Sequence, residues 1–309
     1  MEAAAAAGST PAIFPFSSGS QPPRVSVPAG VCDCHLHVYN SRYPTARGAR
    51  LLPPDASIAD YRLLQLRTGL SRAVVVTPST YGTDNRTMLQ ALSDLGGDAR
   101  GIAVIDGTER DSELANFDAQ GVRGVRLNLS LGVTGSAEML EPIAHRIAPL
   151  GWHLQLLAPP DVLASLRDTL RRLPAPLVFD HFGRIAPAQA NGHPAHALVL
   201  ELLQEGRAWV KLSGGYIVSP IRSTDDPALN ALARSYLDAA PRRVVWGSDW
   251  PHATASAGVQ PMPDDAGQID RLAEWCSDIG LFHRVLIDNP ADLYGFVAPS
   301  SIHSTKQDS

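Results

Sequence analysis

The chain has 309 residues, of which 44% are hydrophobic and 18% are charged, and its formal net charge is -5. This length allows one large domain or two small ones, and the composition is typical of a globular protein with an ample core. No apolar run in the sequence reaches the length that crosses a bilayer. The charge balance also provides no broad basic field, so we expect neither a membrane nor a nucleic acid as a partner.

The two ends of the chain differ in composition from its middle. Residues 1–30 contain an alanine run and many Ser, Pro and Gly, with no basic residue before Arg24, which does not match a signal peptide. We predict a flexible arm over residues 1–30 and a disordered tail over residues 297–309. The remainder, residues 31–296, is expected to form a single domain.

The three cysteines are Cys32, Cys34 and Cys276. Their number is odd, and two of them crowd onto one short segment, which is not the pattern of a disulfide framework. This usage suits a reducing compartment, so we expect a cytoplasmic protein in which the cysteines are small core residues.

Short apolar runs alternate with longer segments in which apolar residues recur at three- and four-residue spacing. This alternation, repeated eight times, predicts an α/β fold, a (β/α)8 barrel of the TIM type, whose active site lies at the carboxyl ends of the strands. An open doubly wound sheet is the alternative, but no Gly-x-Gly-x-x-Gly follows the first run. The predicted strands cover residues 31–37, 73–77, 101–105, 122–127, 153–157, 177–180, 209–212 and 244–247, and the predicted helices include 58–70, 87–95, 137–150, 161–173, 195–203 and 226–237.

The first predicted strand carries two histidines one residue apart, His35 and His37. Strict strand alternation places Asp33 on the same face as these histidines and Cys34 on the opposite face. Two imidazoles that converge on one point suit a divalent metal or a polar substrate. An isolated His-x-His pair can equally lie on a solvated edge strand, so the rest of the chain has to discriminate.

Polar residues follow or end most of the other predicted strands, which is the distribution that a barrel with an active site demands. They are Ser79 and Tyr81 after the second strand, Arg126 on the fourth, Gln155 on the fifth, His181 and Arg184 after the sixth, Lys211 on the seventh, and Asp249 and His252 after the eighth.

His-x-His on the first strand, His181 after the sixth and Asp249 after the eighth together resemble the amidohydrolase superfamily. Members of that superfamily hydrolyse esters, lactones and amides in such barrels. Longer motifs resemble the branch that contains 2-pyrone-4,6-dicarboxylate lactonase, 4-sulfomuconolactone hydrolase and galactarolactone isomerase. These motifs are Asp-Cys-His-Leu-His at 33–37, Tyr-Gly-Thr-Asp-Asn at 81–85, Gly-Val-Arg-Leu-Asn at 124–128, Asp-His-Phe-Gly-Arg at 180–184 and Trp-Gly-Ser-Asp-Trp-Pro-His at 246–252.

The chain departs from metal-dependent relatives on two strands. Those relatives carry a bridging Lys or Glu on strand four and a histidine ligand on strand five, where this chain has Arg126 and Gln155. His153 on strand five lies too near the strand start to be a ligand. The resemblance therefore implies no binuclear site and no expected cofactor. The alternative is a single divalent metal such as zinc, held by His35, His37, His181 and Asp249.

Lactone hydrolysis needs a base, a group that stabilises the oxyanion and a grip on the substrate. Asp249 is the candidate base, since a carboxylate walled by Trp250 and Pro251 would be partly desolvated. The alternative is that Asp249 caps the following turn. We expect His35, His37 and His181 to polarise the lactone carbonyl in place of a metal.

Candidate substrate-binding residues fall into two classes. Arg126, Arg184 and Arg222 would bind carboxylate or sulfonate groups, and an inward Arg126 is costly unless it meets an anion. Ser79, Tyr81 and Gln155 would orient the substrate by hydrogen bonds. The alternatives are solvated ion pairs for the arginines and turn chemistry for the hydroxyl residues.

The expected function is hydrolysis of a small anionic lactone of the muconolactone, sulfomuconolactone or pyrone-dicarboxylate type in aromatic-compound catabolism. Two alternatives stay open, a sugar-acid lactone isomerase of the galactarolactone type and a non-catalytic barrel that binds sugar acids. The sequence leaves the identity of the lactone and the oligomeric state open.

Overall fold

The structure is a computed structural model that describes residues 14–130 and 135–297. Within these ranges, eight parallel strands form one sheet in the order of the chain, each hydrogen-bonded to the next. The strands are β1 Cys32–Leu36, β2 Arg72–Val76, β3 Ala99–Ala103, β4 Val122–Asn128, β5 His153–Leu157, β6 Leu177–Phe179, β7 Ala208–Ser213 and β8 Val244–Gly247. The predicted (β/α)8 barrel of the TIM type is thereby confirmed.

Helices lie between successive strands and after β8. They are α1 Ile58–Thr68, α2 Arg86–Leu95, α3 Asp111–Ala119, α4 Leu140–Ile147, α5 Pro160–Ser165, α6 Arg167–Arg172, α7 Pro194–Gln204, α8 Gly215–Val218, α9 Leu229–Ala239, α10 Ala253–Ser256, α11 Asp265–Trp275, α12 Ile279–His283 and α13 Asn289–Tyr294. In the part of the chain described here, no helix combines the length and apolar character needed to span a membrane.

The strands agree closely with those predicted, and β3 differs most. It covers 99–103 rather than 101–105, because its pairing with β2 starts at Ala99 and includes the polar Arg100. The guanidinium of Arg100 bonds to backbone carbonyls of Gly97 and Tyr294, so a charged side chain is accommodated beside the strand. An apolar run alone could not reveal this start.

The barrel interior and the layer between barrel and helices form two apolar clusters. The interior cluster takes side chains from six strands and is closed by Tyr294 and Phe296 at the amino end. Cys32 and Cys34 belong to it and are fully buried, while Cys276 is half-buried. The expectation that Cys32 and Cys34 are core residues is therefore confirmed.

Strand β1 departs from the alternation that the sequence predicts. Its pairing with β2 shifts register between Asp33 and Leu36. Cys34 packs in the barrel interior, whereas Asp33 lies on the outer side and accepts a hydrogen bond from Tyr61 of α1. The prediction that Asp33 shares a face with the two histidines is wrong. The irregularity, which adds a residue to one strand of the pair, brings His35 inward beside Cys34.

The first and last strands meet at a seam that follows the end of β8. The amide of Asp249 donates to the carbonyl of His35 at 2.8 Å, and the amide of His37 donates to the carbonyl of Trp250 at 2.8 Å. Gly247 permits this approach, because a Cβ at that position would lie 2.6 Å from the Cβ of His35. Barrel closure thus depends on the same segments that carry the histidines and Asp249.

Asp33 holds this seam from the outer side. Its Oδ1 accepts from the amides of His35 at 3.1 Å and Ser248 at 2.9 Å. Its Oδ2 accepts from the hydroxyl of Ser248 at 2.6 Å and that of Tyr61 at 3.1 Å. One fully buried carboxylate therefore connects β1, the end of β8 and α1.

The segment before β1 lies against the barrel where it is described. The ring of Phe16 packs edge-on against Trp250, with centroids 5.5 Å apart. Arg67 of α1 donates to the hydroxyl of Ser17 at 3.1 Å and to the carbonyl of Gln21 at 2.9 Å. Residues 1–13 of the predicted arm and residues 298–309 of the predicted tail lie outside the described residues.

Asp33→Ala is expected to lower the free energy of unfolding by about 3 kcal/mol, because it leaves buried donors of His35, Ser248 and Tyr61 without their acceptor. Urea unfolding of wild type and variant measures this difference. The matched control is Asp55→Ala, which removes exposed hydrogen bonds to Ser41. Equal losses in the two variants would contradict the role of Asp33.

Candidate active site

The site forms where β1, β6 and β8 end, and its backbone is unusual at two of these ends. His181 has φ of 48°, Asp249 has 67° and His252 has 57°, all in the left-handed region. Such conformations are costly for residues other than glycine and cluster at functional sites. The strand ends therefore aim these side chains at the expense of local strain.

Four of the predicted residues converge on one point. Oδ1 of Asp249 lies 3.6 Å from Nε2 of His35, 4.0 Å from Nε2 of His37 and 3.9 Å from Nε2 of His181. All four side chains are buried. The structure thus brings together His35, His37, His181 and Asp249, which the sequence could place only at separate strand ends.

Hydrogen bonds define which nitrogen of His37 carries the proton. Its Nδ1 lies 2.7 Å from the carbonyl oxygen of Val76, and a carbonyl only accepts, so Nδ1 donates. Burial, with Arg126 as the next cause, lowers the pKa of His37 to about 4. At neutral pH, His37 therefore presents the lone pair of Nε2 to the site.

His35 is the complementary partner of His37. Its Nε2 lies 3.3 Å from Nε2 of His37, so a proton on His35 Nε2 can be donated to that lone pair. Its Nδ1 then accepts from Nζ of Lys211 at 3.4 Å. Asp180 Oδ1 lies 3.3 Å from the same Nδ1 and has no hydrogen-bond partner among the described residues. Burial lowers the pKa of His35 well below its usual range.

A buried ionic network lies beneath the histidines. Asp180 accepts on Oδ2 from Nε of Arg126 at 2.9 Å and from Nε2 of Gln155 at 3.1 Å. Lys211 donates to Oε1 of Gln155 at 2.7 Å and to the carbonyl of Cys34 at 2.8 Å. Gln155 therefore supports this network below the pocket. One anion that Arg126 meets is Asp180 of the protein itself.

The charges of this network compensate one another. Burial by itself raises the pKa of Asp180, but the His35 ring and the cations Arg126 and Lys211 hold it well below its usual range. Burial lowers the pKa of Lys211 to about 8, against the opposing effect of Asp180. At neutral pH the network is thus an ionised carboxylate between two cations.

The donor set also fits a single metal ion. Nitrogens bonded to zinc at about 2.0–2.1 Å in a tetrahedron lie about 3.3 Å apart, and Nε2 of His35 and Nε2 of His37 are 3.3 Å apart. His35, His37 and Asp249 form one compact ligand group. With the His35 proton on Nδ1, Oδ1 of Asp180, which has no partner among the described residues, would gain a donor, as carboxylates that orient metal-bound histidines do.

Asp249 is held at its second oxygen by Tyr216 of α8. The hydroxyl of Tyr216 donates to Oδ2, whereas the three imidazoles approach Oδ1. Gly214, just before α8, allows this approach because a Cβ there would lie 3.0 Å from Nδ1 of His181 and 3.1 Å from Asp249 Oδ2. Asp249 thus has one oxygen bound to the protein and one directed at the imidazoles.

A pocket opens above the histidines, with about 740 Å³ of empty volume, part of it open to solvent. This volume suits a small-molecule ligand. Its polar lining includes His37, Ser79, Arg126, Asn128, His181 and Asp249, and its apolar lining includes Tyr39, Leu51, Pro78, Leu157 and Ile217.

Two of the predicted substrate-binding residues line this pocket. Arg126 is buried and reaches it from β4, and Ser79 reaches it from the turn after β2. The hydroxyl of Ser79 accepts from Nδ2 of Asn128 at 2.9 Å. Asn128 and the exposed Arg50 also line the pocket, although their roles could not be assigned from the sequence.

Three other predicted substrate-binding residues are not brought to the pocket lining. The hydroxyl of Tyr81 is engaged by the backbone of Asn40, from which it accepts at 2.8 Å and to which it donates at 3.1 Å. Arg184 is half-buried beyond His181, and burial together with Arg126 lowers its pKa. Arg222 is exposed and lines a neighbouring groove beside Tyr216.

The surroundings of Asp249 also differ from those predicted. Trp250 belongs to the outer apolar cluster and packs against Phe16 and Tyr61. The prediction that Trp250 walls Asp249 is wrong, because the strand end turns the indole towards the helix layer. Tyr216 was missed, since no pattern in the sequence links it to Asp249. Asp180 offered a signal, its position directly before His181 at a strand end.

Comparison with known proteins agrees with this geometry. The family described as Amidohydrolase matches residues 32–296. A 2-pyrone-4,6-dicarbaxylate hydrolase of Comamonas testosteroni is 34% identical over 301 residues, covering 92% of this chain and 96% of the relative. A 4-sulfomuconolactone hydrolase of Rhizobium radiobacter is 31% identical over 283 residues, covering 90% and 94%.

A solved structure is similar over the same range. The probable 2-pyrone-4,6-dicarboxylic acid hydrolase of Acinetobacter baumannii, with citric acid bound, has a TM-score of 0.74 and 28% sequence identity. The match covers 86% of this chain and 100% of the chain in that structure.

His153 lies below the site, where burial lowers its pKa from 6.5 to about 3. Its Nε2 has no hydrogen-bond partner within the described ranges. The unfolded chain therefore binds more protons between these two values, and the free energy of unfolding decreases as the pH falls through them.

His153→Leu is expected to reduce this pH dependence by roughly 2 kcal/mol between about pH 7 and pH 5. Urea unfolding at several pH values measures the slope. The exposed His283→Leu is the matched control. If both variants show the same pH dependence, the assignment to His153 is wrong.

Proposed function

The chain belongs to the amidohydrolase family, and from this premise we propose that it hydrolyses a small anionic lactone. Its relatives include hydrolases named for a pyrone dicarboxylate and a sulfomuconolactone. The observation that carries the proposal is the convergence of three imidazole Nε2 atoms on one oxygen of Asp249, in a pocket that Arg126 also lines.

Asp249 is the general base in this proposal. Its Oδ1 faces the imidazoles, and Tyr216 occupies Oδ2, so one oxygen is available to take a proton from water. The water oxygen then bonds to the lactone carbonyl carbon, and the ring C–O bond breaks as the leaving oxygen regains a proton. The product is an open hydroxy acid.

The histidines have different roles beside the general base. His181 has Nδ1 2.9 Å from the hydroxyl of Ser213, which leaves Nε2 to donate to the carbonyl oxygen when Ser213 donates to Nδ1. Arg126 supplies a fixed cation beside it. Because Nε2 of His37 is an acceptor that takes the proton of His35 Nε2, His37 fixes the His35 ring and does not polarise the carbonyl. This refines the expectation that all three histidines polarise it.

We propose that the reaction needs no metal. Arg126 and Lys211 provide positive charge below the site, and the proton between His35 and His37 occupies the position that a cation would take. If a divalent ion is bound instead, His35, His37, His181 and Asp249 would hold it, and it would supply Lewis acidity towards the carbonyl.

The substrate is proposed to be anionic. Arg126 reaches the pocket with one nitrogen committed to Asp180, which leaves the other guanidinium edge for a carboxylate. The exposed Arg50 lies at the pocket rim. The relative from Acinetobacter baumannii binds citric acid, a tricarboxylic acid, which supports the same chemistry. A role of this chain in aromatic-compound catabolism and its location in the cytoplasm are also part of this proposal.

Hydrolysis is tested by proton release in a weakly buffered assay with pyrone-dicarboxylate, sulfomuconolactone and aldarolactone substrates. Wild type should release one acid equivalent per lactone consumed. Asp249→Asn should lower kcat by roughly 10³-fold, because the base is lost. The control is Asp98→Asn, an exposed carboxylate next to the start of β3 at the far end of the barrel.

Three other outcomes have defined meanings. Lactone conversion at constant pH, with a changed NMR pattern, would mean isomerisation by an internal hydroxyl. Binding without turnover of every lactone would mean a sugar-acid binding barrel. Full turnover by Asp249→Asn would show that another group is the base.

Metal independence is tested on the same preparation. We expect less than stoichiometric metal by elemental analysis and an unchanged kcat after dialysis against a chelator. The physical reason is that protons and buried cations already balance the site. Loss of activity on chelation with recovery on adding zinc would overturn this part of the proposal.

A further inference from the structure

A line of buried polar residues continues behind Asp249, away from the pocket. The Tyr216 hydroxyl, which donates to Asp249 Oδ2, lies 3.3 Å from Nδ1 of His252. Nε2 of His252 lies 3.1 Å from Oδ2 of Asp265 at the start of α11. Tyr216, His252 and Asp265 are almost completely buried. His252 is therefore inside the fold.

The protons on this line can be assigned from donor and acceptor chemistry. A carboxylate only accepts, so Nε2 of His252 donates to Asp265. Tyr216 has one proton, and its contact with Asp249 uses it. The tyrosine oxygen can then accept from Nδ1 of His252, 3.3 Å away, when that nitrogen carries a proton.

The line ends among buried groups. Oδ1 of Asp265 accepts from Nε2 of Gln268 at 3.0 Å, and its amide is 3.3 Å from the hydroxyl of Ser17. Asp265, Gln268 and Ser17 are all buried. Such an arrangement suits holding a carboxylate in one orientation.

We propose that Tyr216, His252 and Asp265 are positioning residues that keep Asp249 oriented with Oδ1 towards the imidazoles. This inference rests on the proposed function, in which Asp249 is the base. Without the Tyr216 hydroxyl, Oδ2 loses its fixed donor and the carboxylate can rotate. A proton on Nδ1 of His252 keeps the tyrosine proton directed at Asp249, and Asp265 holds the His252 ring through Nε2.

Tyr216→Phe tests the first link, because it removes only the hydroxyl from a buried ring. We expect kcat to fall roughly 10- to 100-fold while KM changes little, because the misoriented base affects the chemical step. The matched control is Tyr294→Phe, whose hydroxyl is buried without a hydrogen-bond partner among the described residues. It should retain the wild-type kcat. Retention of kcat by Tyr216→Phe would overturn the proposal.

A double-mutant cycle tests whether His252 acts through Tyr216. His252→Gln alone should lower kcat, but in the Tyr216→Phe background it should have little further effect, because the link to Asp249 is already broken. Additive losses would show that His252 affects turnover by another route, and the positioning line would be wrong. Melting temperatures of each variant report whether folding is maintained.

A measurement that does not depend on turnover separates this inference from the proposed function. Nitrogen-15 NMR of labelled histidine should show His252 protonated on both ring nitrogens at neutral pH, and Asp265→Asn should remove that signature. A neutral His252 in wild type overturns the line. Absence of lactone turnover in wild type instead overturns the proposed function, while an imidazolium at His252 would still support the line.

Discussion

The seam between β1 and the end of β8 is the constraint on which the rest of the molecule depends. Asp33 connects the two segments to α1, and the backbone bonds from Asp249 to His35 and from His37 to Trp250 complete the contact. The same bonds that close the barrel hold two histidines beside Asp249. Barrel stability and site geometry therefore cannot be separated at this edge.

The site above the seam is organised by proton placement. The carbonyl of Val76 makes Nε2 of His37 an acceptor, and this in turn favours a proton on Nε2 of His35. Lys211 stabilises that arrangement from below, whereas Asp180 would favour the opposite tautomer. Lys211 and Asp180 therefore compete for Nδ1 of His35. The contact with Lys211 favours a site with a proton between the two histidines, and the contact with Asp180 favours a site that binds a metal.

Asp249 takes part in both the seam and the site. Its backbone takes part in the seam, its Oδ1 faces the imidazoles and its Oδ2 is bound by Tyr216. The left-handed backbone at Asp249 is tolerated because the surrounding bonds hold it from several directions. A carboxylate constrained in this way has little freedom to reorient, which suits a base that must act in one direction.

The sequence by itself determined the eight strands, the barrel class and the identity of His35, His37, His181 and Asp249. The strands and the barrel class follow from apolar periodicity, which is a local property. The four site residues follow from polar residues at strand ends together with the resemblance to the amidohydrolase superfamily. Residues such as Ser79 and Arg126 were found by the same logic.

Only the tertiary structure decided which side chains meet. The register shift in β1 places Asp33 on the outer side of the barrel. The indole of Trp250 packs against the helix layer, and the hydroxyl of Tyr81 hydrogen-bonds to the backbone of Asn40. Tyr216 reached Asp249 from another strand end. Such contacts join residues distant in the chain and depend on register and on competing hydrogen-bond partners, neither of which a local pattern records.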